Sequence, residues 1–158
     1  LKAAISTYAF STSGIWPATP ERGRLFRRGE RDDFMTRVLI ADDEDSMRLL
    51  VARAIAMDGH DTVTAEDGAE ALDILTRERG AFDLLLTDIQ MPVMDGIALA
   101  LTAARDFPDL KILLMTGFAD QRERASGLNA IVHDVVTKPF SVADIRTAVA
   151  DALAAKKA

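Results

Sequence analysis

Acidic, hydroxyl and basic side chains follow short apolar segments at four places in the sequence. Asp42 and Asp43 follow the first of these segments, Asp88 and Thr116 follow two others, and Lys138 follows the last. Neighbouring carboxylates raise one another's pKa, and a hard divalent cation such as Mg²⁺, which prefers oxygen ligands, removes that cost. One carboxylate can then act as a nucleophile toward phosphorus, while an ammonium and a hydroxyl contact the phosphoryl oxygens. The residue types therefore predict phosphoryl chemistry, provided that the four places meet in the fold.

Each of these residues also has an ordinary structural interpretation when it is taken alone. Asp42 and Asp43 could cap a following helix, and Asp88 could begin a turn. Thr116 could simply end a strand, and Lys138 could be a solvated surface residue. If all of these residues lie at the ends of four strands of one sheet, a common site explains their positions better than four separate structural roles do.

The elements that would position them are short apolar runs alternating with helical patterns from residue 35 onward. The predicted strands are 38–41, 62–64, 84–87, 112–115 and 131–136, and the predicted helices lie near 46–57, 68–79, 96–106, 119–127 and 142–155. This alternation indicates an α/β fold, with a five-stranded parallel sheet covered by helices on both faces. Active sites of such sheets lie beyond the carboxyl ends of the strands, so the four places are expected at one edge.

Two helix ends are marked in the sequence. Gly59 follows the first predicted helix, where glycine readily adopts the positive φ of a helix C-terminus. Ser141 and Asp144 have the spacing of a capping box at the start of the last helix, with Asp in the place of the usual Glu. Both signals support the predicted boundaries.

Composition excludes several classes of protein. The chain has 158 residues, the length of one domain, and it contains no cysteine, which excludes disulfides and thiolate metal sites. Residues 1–34 carry six basic and four acidic side chains, whereas residues 35–158 carry 13 basic and 21 acidic ones, for a net charge of −6. An acidic body argues against nucleic-acid binding. No apolar run approaches the roughly 18 residues of a membrane helix.

Residues 1–34 differ in composition from the rest of the chain. They mix Ser, Thr, Gly, Pro and Arg without a sustained period, which is typical of loops or disorder. They could be a disordered extension, although an exported leader would need an apolar core followed by a small-residue cleavage site. The abrupt change at Met35 favours a mis-assigned start, with Met35 as the true first residue. Residues 35–158 would then form the whole functional domain.

The body of the chain resembles the receiver domains of two-component response regulators, which have the flavodoxin-like fold of the chemotaxis protein CheY. The resemblance covers residues 37–154 and rests on four segments in the same order and at the same spacing. These are Val-Leu-Ile-Ala-Asp-Asp at 38–43, Thr-Asp-Ile-Gln-Met-Pro-Val-Met-Asp-Gly at 87–96, Leu-Leu-Met-Thr-Gly at 113–117, and Lys-Pro-Phe at 138–140. Each segment alone is a weak signal, but together they are highly specific.

The resemblance implies a metal site and a phosphoacceptor. Asp88 is expected to accept the phosphoryl group. Asp43, Asp88 and the backbone carbonyl of Gln90 are expected to hold Mg²⁺, and Asp42 to contact it through water. Lys138 is expected to pair with the phosphoryl group. The peptide bond between Lys138 and Pro139 is expected to be cis, which shapes the loop. The protein would then be a phosphoacceptor rather than an enzyme.

One departure from the family pattern concerns the response to phosphorylation. The resemblance implies that Thr116 turns inward to hydrogen-bond the phosphoryl group. The family often has Tyr or Phe three residues before the lysine, but this chain has Val135 there. A valine has no large ring to rotate, so the output could come from the loop and helix after Thr116, or from His133 and Phe140.

The outer surface is expected to carry the signal, because no output domain follows the last helix in this sequence. The family's usual contact surface corresponds to residues 119–155. Within it, residues 121–124, Gln-Arg-Glu-Arg, are predicted to be exposed. They could contact a partner, or they could simply form a solvated helix face. Segments 95–101, 113–125 and 133–141 resemble the CpdR-type stand-alone regulators. That narrower resemblance implies a cytoplasmic cell-cycle adaptor whose unphosphorylated form helps the ClpXP protease select substrates. A histidine phosphotransferase, which receives its phosphoryl group from a histidine kinase, would switch this activity off by phosphorylating the adaptor.

Two other functions compete with the adaptor. A motor regulator of the CheY type or a phosphorelay shuttle shares the chemistry and differs only in its partner. A phosphohydrolase of the haloacid-dehalogenase type would use two aspartates after the first strand, which Asp43 and Asp45 could supply. Ser46 and Met47 do not continue that pattern, and Asp88 would be left without a role.

Overall fold

The computed structural model describes residues 36–117 and 119–155, apart from the side chains of residues 119 and 120. The predictions for residues 1–34 and Met35 lie outside the described residues. The strands are β1 (Arg37–Ala41), β2 (Asp61–Ala65), β3 (Leu84–Asp88), β4 (Lys111–Thr116) and β5 (Asp134–Thr137). The helices are α1 (Asp45–Ala56), α2 (Gly68–Arg77), α3 (Gly96–Asp106), α4 (Ala119–Ser126) and α5 (Val142–Ala154).

The strands form one parallel sheet in the order β2-β1-β3-β4-β5. This is the order of flavodoxin-like folds, so the predicted fold class is confirmed. The chain order changes direction between β1 and β3, where Ala41 lies opposite Thr87. Ligands of such sheets bind outside the carboxyl ends of the strands at this switch point. The residues directly after Ala41 and Thr87 therefore occupy the expected place for a site.

Two apolar clusters cover the two faces of the sheet. Alternate residues of a strand point to opposite faces, so Leu39 and Leu85 join one cluster while Val38 and Leu84 join the other. The first cluster receives buried residues from α2, α3 and α4, and the second receives them from α1 and α5. The inner strands are buried on both faces, which explains why their sequences are continuous apolar runs.

Two predicted boundaries were wrong. β5 begins at Asp134 rather than at residue 131. The N–H groups of Ile131 and Val132 donate to the Leu128 carbonyl, so these residues continue the turn that follows α4, and their apolar side chains pack on the core without joining the sheet. Helix α2 ends at Arg77 rather than at residue 79, because Arg79 adopts a φ of 55° that a right-handed helix cannot contain.

The two predicted helix signals are confirmed. Gly59 has a φ of 86° and follows the end of α1. The Ser141 hydroxyl accepts from the Asp144 N–H, and the Asp144 carboxylate accepts from the Ser141 N–H, as a capping box requires. Among the helices described, none has the length and apolar character needed to cross a membrane.

Candidate functional site

Three aspartates meet at the switch point of the sheet. One carboxylate oxygen from each of Asp42, Asp43 and Asp88 lies within 4.8 Å of the other two. Asp42 and Asp88 are buried, whereas Asp43 is exposed and faces the solvent side of the cluster. The parallel register of β1 and β3 places the residues after Ala41 and Thr87 side by side, and this produces the cluster. An oxygen donor set of this kind fits a hard divalent cation.

Asp42 does not cap α1 directly, because the N-cap residue is Glu44 and this helix start has no side-chain cap hydrogen bond. The Asp42 carboxylate accepts the Glu44 N–H at 2.9 Å, immediately before α1 begins, and the Arg48 guanidinium donates to the Asp42 carbonyl at 2.7 Å. One carboxylate oxygen of Asp42 is therefore held by the chain itself. Its other oxygen faces Lys138 within the cluster.

Lys138 brings a positive charge to the two buried carboxylates. Its ammonium nitrogen lies 3.4 Å from Asp88 Oδ2 and 3.5 Å from Asp42 Oδ2. The peptide bond between Lys138 and Pro139 is cis, as expected. The Lys138 N–H donates to the Thr116 carbonyl at 2.7 Å, which ties the end of β5 to the end of β4. The backbone thus positions the lysine from a distant part of the sequence.

Burial sets the electrostatics of the cluster. It raises the pKa of the Asp88 carboxyl from the ordinary 3.8 to about 6; the Lys138 ammonium lowers that pKa, and the Asp42 carboxylate raises it. Burial also raises the pKa of Asp42, against the hydrogen bond from Glu44 and the charge of Lys138. One ammonium therefore does not offset the removal of these carboxylates from water. A bound cation would favour their ionised forms, so the chemistry of the site fits Mg²⁺.

The loop after β3 is packed tightly against the phosphoacceptor candidate. A Cβ atom at Gly96 would lie 2.0 Å from the Asp88 carbonyl oxygen, so this position has no room for a side chain. The Gly96 N–H donates to the Ile89 carbonyl at 2.7 Å, and the Ile89 N–H donates to Asp88 Oδ1 at 2.9 Å. Val93, at the tip of the loop, is exposed and has a φ of 68°, which is strained for a β-branched residue. Close backbone packing thus fixes the Asp88 carboxylate.

Thr116 is buried at the end of β4, and its hydroxyl donates to Gln121 Oε1 at 3.0 Å. Gln121 was predicted to be exposed, and that prediction was wrong, because its side chain is only 7 % exposed. Gln121 and Ala125, four residues apart, share the inward face of α4, but this spacing alone does not show that a polar side chain is buried. Arg122, Glu123 and Arg124 are exposed, as predicted.

These side chains surround an open cavity of about 380 Å³. Its lining consists of Asp43, Glu44, Asp88, Gln90, Gly117, Gln121 and Lys138. A Cβ atom at Gly117 would meet only Lys138 Cδ, at 4.0 Å, so glycine leaves this part of the rim open. The cavity therefore connects the Asp88 carboxylate with the solvent side.

The remaining residues named from the sequence lie away from this cavity lining. Val135 is half-buried and packs against the apolar cluster beneath α2, α3 and α4. Phe140 is half-buried against the opposite cluster, and His133 is exposed. At the position where the family often has Tyr or Phe, this chain thus has a packed aliphatic side chain, that of Val135.

Comparison with known proteins agrees with this geometry. Residues 38–150 match the family described as the response regulator receiver domain. The response regulator receiver protein CpdR of Brucella abortus is 40% identical over 111 residues, which cover 70% of this chain and 91% of that protein. The response regulator MprA of Mycobacterium avium is 33% identical over 109 residues, but the match covers 69% of this chain and only 47% of that longer protein.

Solved structures show the same fold. The response regulator protein TrrA of Thermotoga maritima, in complex with Mg²⁺-BeF, is 31% identical with a TM-score of 0.67, over 74% of this chain and 98% of that one. A CheY-like receiver domain protein of Methanospirillum hungatei is 27% identical with a TM-score of 0.69, over 75% of this chain and 94% of that one. The chain therefore belongs to the response regulator receiver domains of two-component systems.

Proposed function

We propose that the protein accepts a phosphoryl group on Asp88 from a histidine kinase or a histidine phosphotransferase. The observation that carries this proposal is the buried Asp88 carboxylate, held by the Ile89 N–H and 3.4 Å from the Lys138 ammonium, at an open cavity. An Asp88 oxygen forms the new bond to phosphorus, and the bond from phosphorus to the donor's histidine nitrogen breaks. The chain is a phosphoacceptor and not a phosphatase toward other substrates.

The other polar residues have supporting roles in the same proposal. Asp43, Asp88 and the Gln90 carbonyl would hold Mg²⁺, with Asp42 contacting it through water. When bound, the cation neutralises negative charge at the reacting oxygens. Lys138 pairs with the phosphoryl oxygens, and Thr116 donates its hydroxyl proton to one of them.

Mass spectrometry of the intact full-length chain tests this proposal. The protein is incubated with Mg²⁺ and acetyl phosphate, and its mass is compared with that of Asp88→Asn and of the exposed control Asp109→Asn. We expect wild type and the control to gain one phosphoryl group and Asp88→Asn to gain none. Chelation of Mg²⁺ should prevent the gain. An equal gain in Asp88→Asn would overturn the proposal.

For the output, we propose a CpdR-type adaptor that controls ClpXP proteolysis in the cell cycle by phosphorylation-dependent contact in the cytoplasm. The supporting observation is the 40% identity to CpdR of Brucella abortus over 91% of that protein. Binding of ClpX to the unphosphorylated and the phosphorylated chain tests it, with binding expected only for the unphosphorylated form. Equal binding, or no binding by either form, would leave a motor regulator or phosphorelay shuttle as the better assignment.

The phosphohydrolase alternative is poorly supported. It requires Asp45 to act beside Asp43, but the Asp45 carboxylate pairs with the Arg48 guanidinium in the first turn of α1. Asp45 is also not a member of the aspartate cluster. Turnover of a phosphate ester by the isolated chain would favour this alternative nonetheless.

A further inference from the structure

Residues 121–126 of helix α4 contribute little apolar surface to the contact with the sheet. Within residues 121–126, the buried side chains are those of Gln121 and Ala125. Helix α3, on the same face of the sheet, buries Leu99, Ala100 and Ala103. A helix with so small an apolar contact opens more readily than its neighbours. The polar contacts of Gln121 therefore contribute an unusually large share of the attachment of α4.

The orientation of the Gln121 amide follows from its neighbours. The Gly117 N–H can only donate, so the atom that faces it at 3.4 Å must be the carbonyl oxygen Oε1. The amide nitrogen Nε2 then donates to Gln90 Oε1 at 2.7 Å. The Thr116 hydroxyl donates to the same Oε1 atom at 3.0 Å. One buried side chain thus connects Thr116, at the end of β4, with Gln90, two residues after Asp88.

We propose that Gln121 is the positioning residue that couples the state of Asp88 to helix α4. The proposal rests on the proposed phosphorylation of Asp88. A hydroxyl carries one proton, and the Thr116 hydroxyl cannot donate it fully to Gln121 and to a phosphoryl oxygen at once. When the phosphoryl oxygen takes this proton, Gln121 loses a hydrogen bond that anchors α4, and the helix is released. Val135 cannot perform this task, because it is a half-buried aliphatic side chain with no group that could donate or accept a hydrogen bond.

A second contact between α4 and the same loop supplies the matched control. Arg124 Nη2 lies 3.1 Å from Asp95 Oδ2, and both side chains are at the surface. This ion pair joins α4 to the loop after β3, as Gln121 does, but it has no link to the Thr116 hydroxyl. Arg124→Gln therefore removes an attachment of α4 without touching the proposed coupling.

Hydrogen exchange of the α4 amides tests the proposal in the full-length chain. Wild type, Gln121→Leu and Arg124→Gln are compared without phosphodonor and after treatment with Mg²⁺ and acetyl phosphate, and exchange is read only from molecules whose mass includes the phosphoryl group. We expect phosphorylation to speed α4 exchange in wild type by about three- to tenfold, the effect of losing one buried hydrogen bond. Unphosphorylated Gln121→Leu, which lacks all three hydrogen bonds of the Gln121 amide, should exchange at least as fast as phosphorylated wild type and should not respond to phosphorylation. Arg124→Gln should keep the wild-type response.

Several results would overturn the proposal. One is a full phosphorylation response in Gln121→Leu, and another is the same α4 exchange in that unphosphorylated variant as in wild type. If Gln121→Leu does not fold, as judged by its thermal midpoint, Gln121→Met takes its place, since methionine keeps the length and removes the hydrogen bonds. A wild-type chain that gains no phosphoryl group would show that the proposed function itself has failed, which the mass measurement reports separately.

Discussion

The sheet has a dense half and a loosely packed half. All residues of β3 are buried, and buried apolar side chains from helices cover both of its faces. β5, at the edge, has exposed residues at both ends and half-buried ones between. Within residues 121–126 of α4 beside it, the buried apolar side chain is that of Ala125. The phosphoacceptor candidate lies at the end of the dense strand. From the loose side, Lys138 reaches its carboxylate, and Gln121 bonds to Gln90, two residues after it. Under the proposals above, this arrangement would give the reacting group a fixed position and leave the responding helix free to move.

The largest expected effect on stability comes from replacing a leucine by alanine in the dense half, compared with the same substitution in the loose half. Leu85 in β3 is fully buried, whereas Leu128, after α4, is half-buried against the same apolar cluster. We expect Leu85→Ala to lower the free energy of unfolding by about 4 kcal/mol and Leu128→Ala by about 1 kcal/mol, because only the first leaves an enclosed cavity. Urea denaturation measures both. Equal losses would mean that the two halves are packed equally well.

A smaller effect is expected from two glycines on opposite sides of the site. A Cβ atom at Gly96 would collide with the Asp88 backbone at 2.0 Å, whereas one at Gly117 would meet only a lysine carbon at 4.0 Å. We expect Gly96→Ala to lower the free energy of unfolding by about 3 kcal/mol through a forced backbone shift. Gly117→Ala should change it by less than about 0.5 kcal/mol. Denaturant titration gives both values. If Gly96→Ala leaves the free energy of unfolding unchanged, the loop after β3 can shift to accommodate a side chain.

The smallest of these effects concerns the charge held in the dense half. Because burial raises the pKa of Asp88 to about 6, the folded state binds more protons than the unfolded state between about pH 4 and pH 6. The free energy of unfolding should therefore fall as the pH rises through this window. Asp88→Asn removes this group and should be more stable than wild type at pH 7, by about 2 to 3 kcal/mol in the absence of Mg²⁺.

Thermal and urea denaturation across this pH range measure the effect. The exposed substitution Asp109→Asn serves as the control and should follow the wild-type pH dependence. If Asp88→Asn loses stability with rising pH as steeply as wild type does, another group carries the dependence. Asp42 would then be the first candidate, since burial raises its pKa as well.

The sequence predicted the dense half better than the loose half. The apolar runs of β1, β3 and β4 are buried on both faces, so their positions are determined by hydrophobicity alone. The run at 131–136 was misread as one strand, because an apolar side chain packs equally well from a turn and from a strand. Val132 lies in the core and Ile131 packs against it, but their N–H groups bond to Leu128 and not to β4.

By itself, the sequence determined the alternating α/β architecture and the order in which the site residues follow their strands. Periodicity and local motifs carry this information within a few neighbouring residues. Only the tertiary structure decided that Gln121 is buried against Thr116 and that burial raises the pKa of Asp88 to about 6. Both properties depend on which distant segments surround a side chain and exclude water from it. Such surroundings exist only once the sheet has brought the strand ends together.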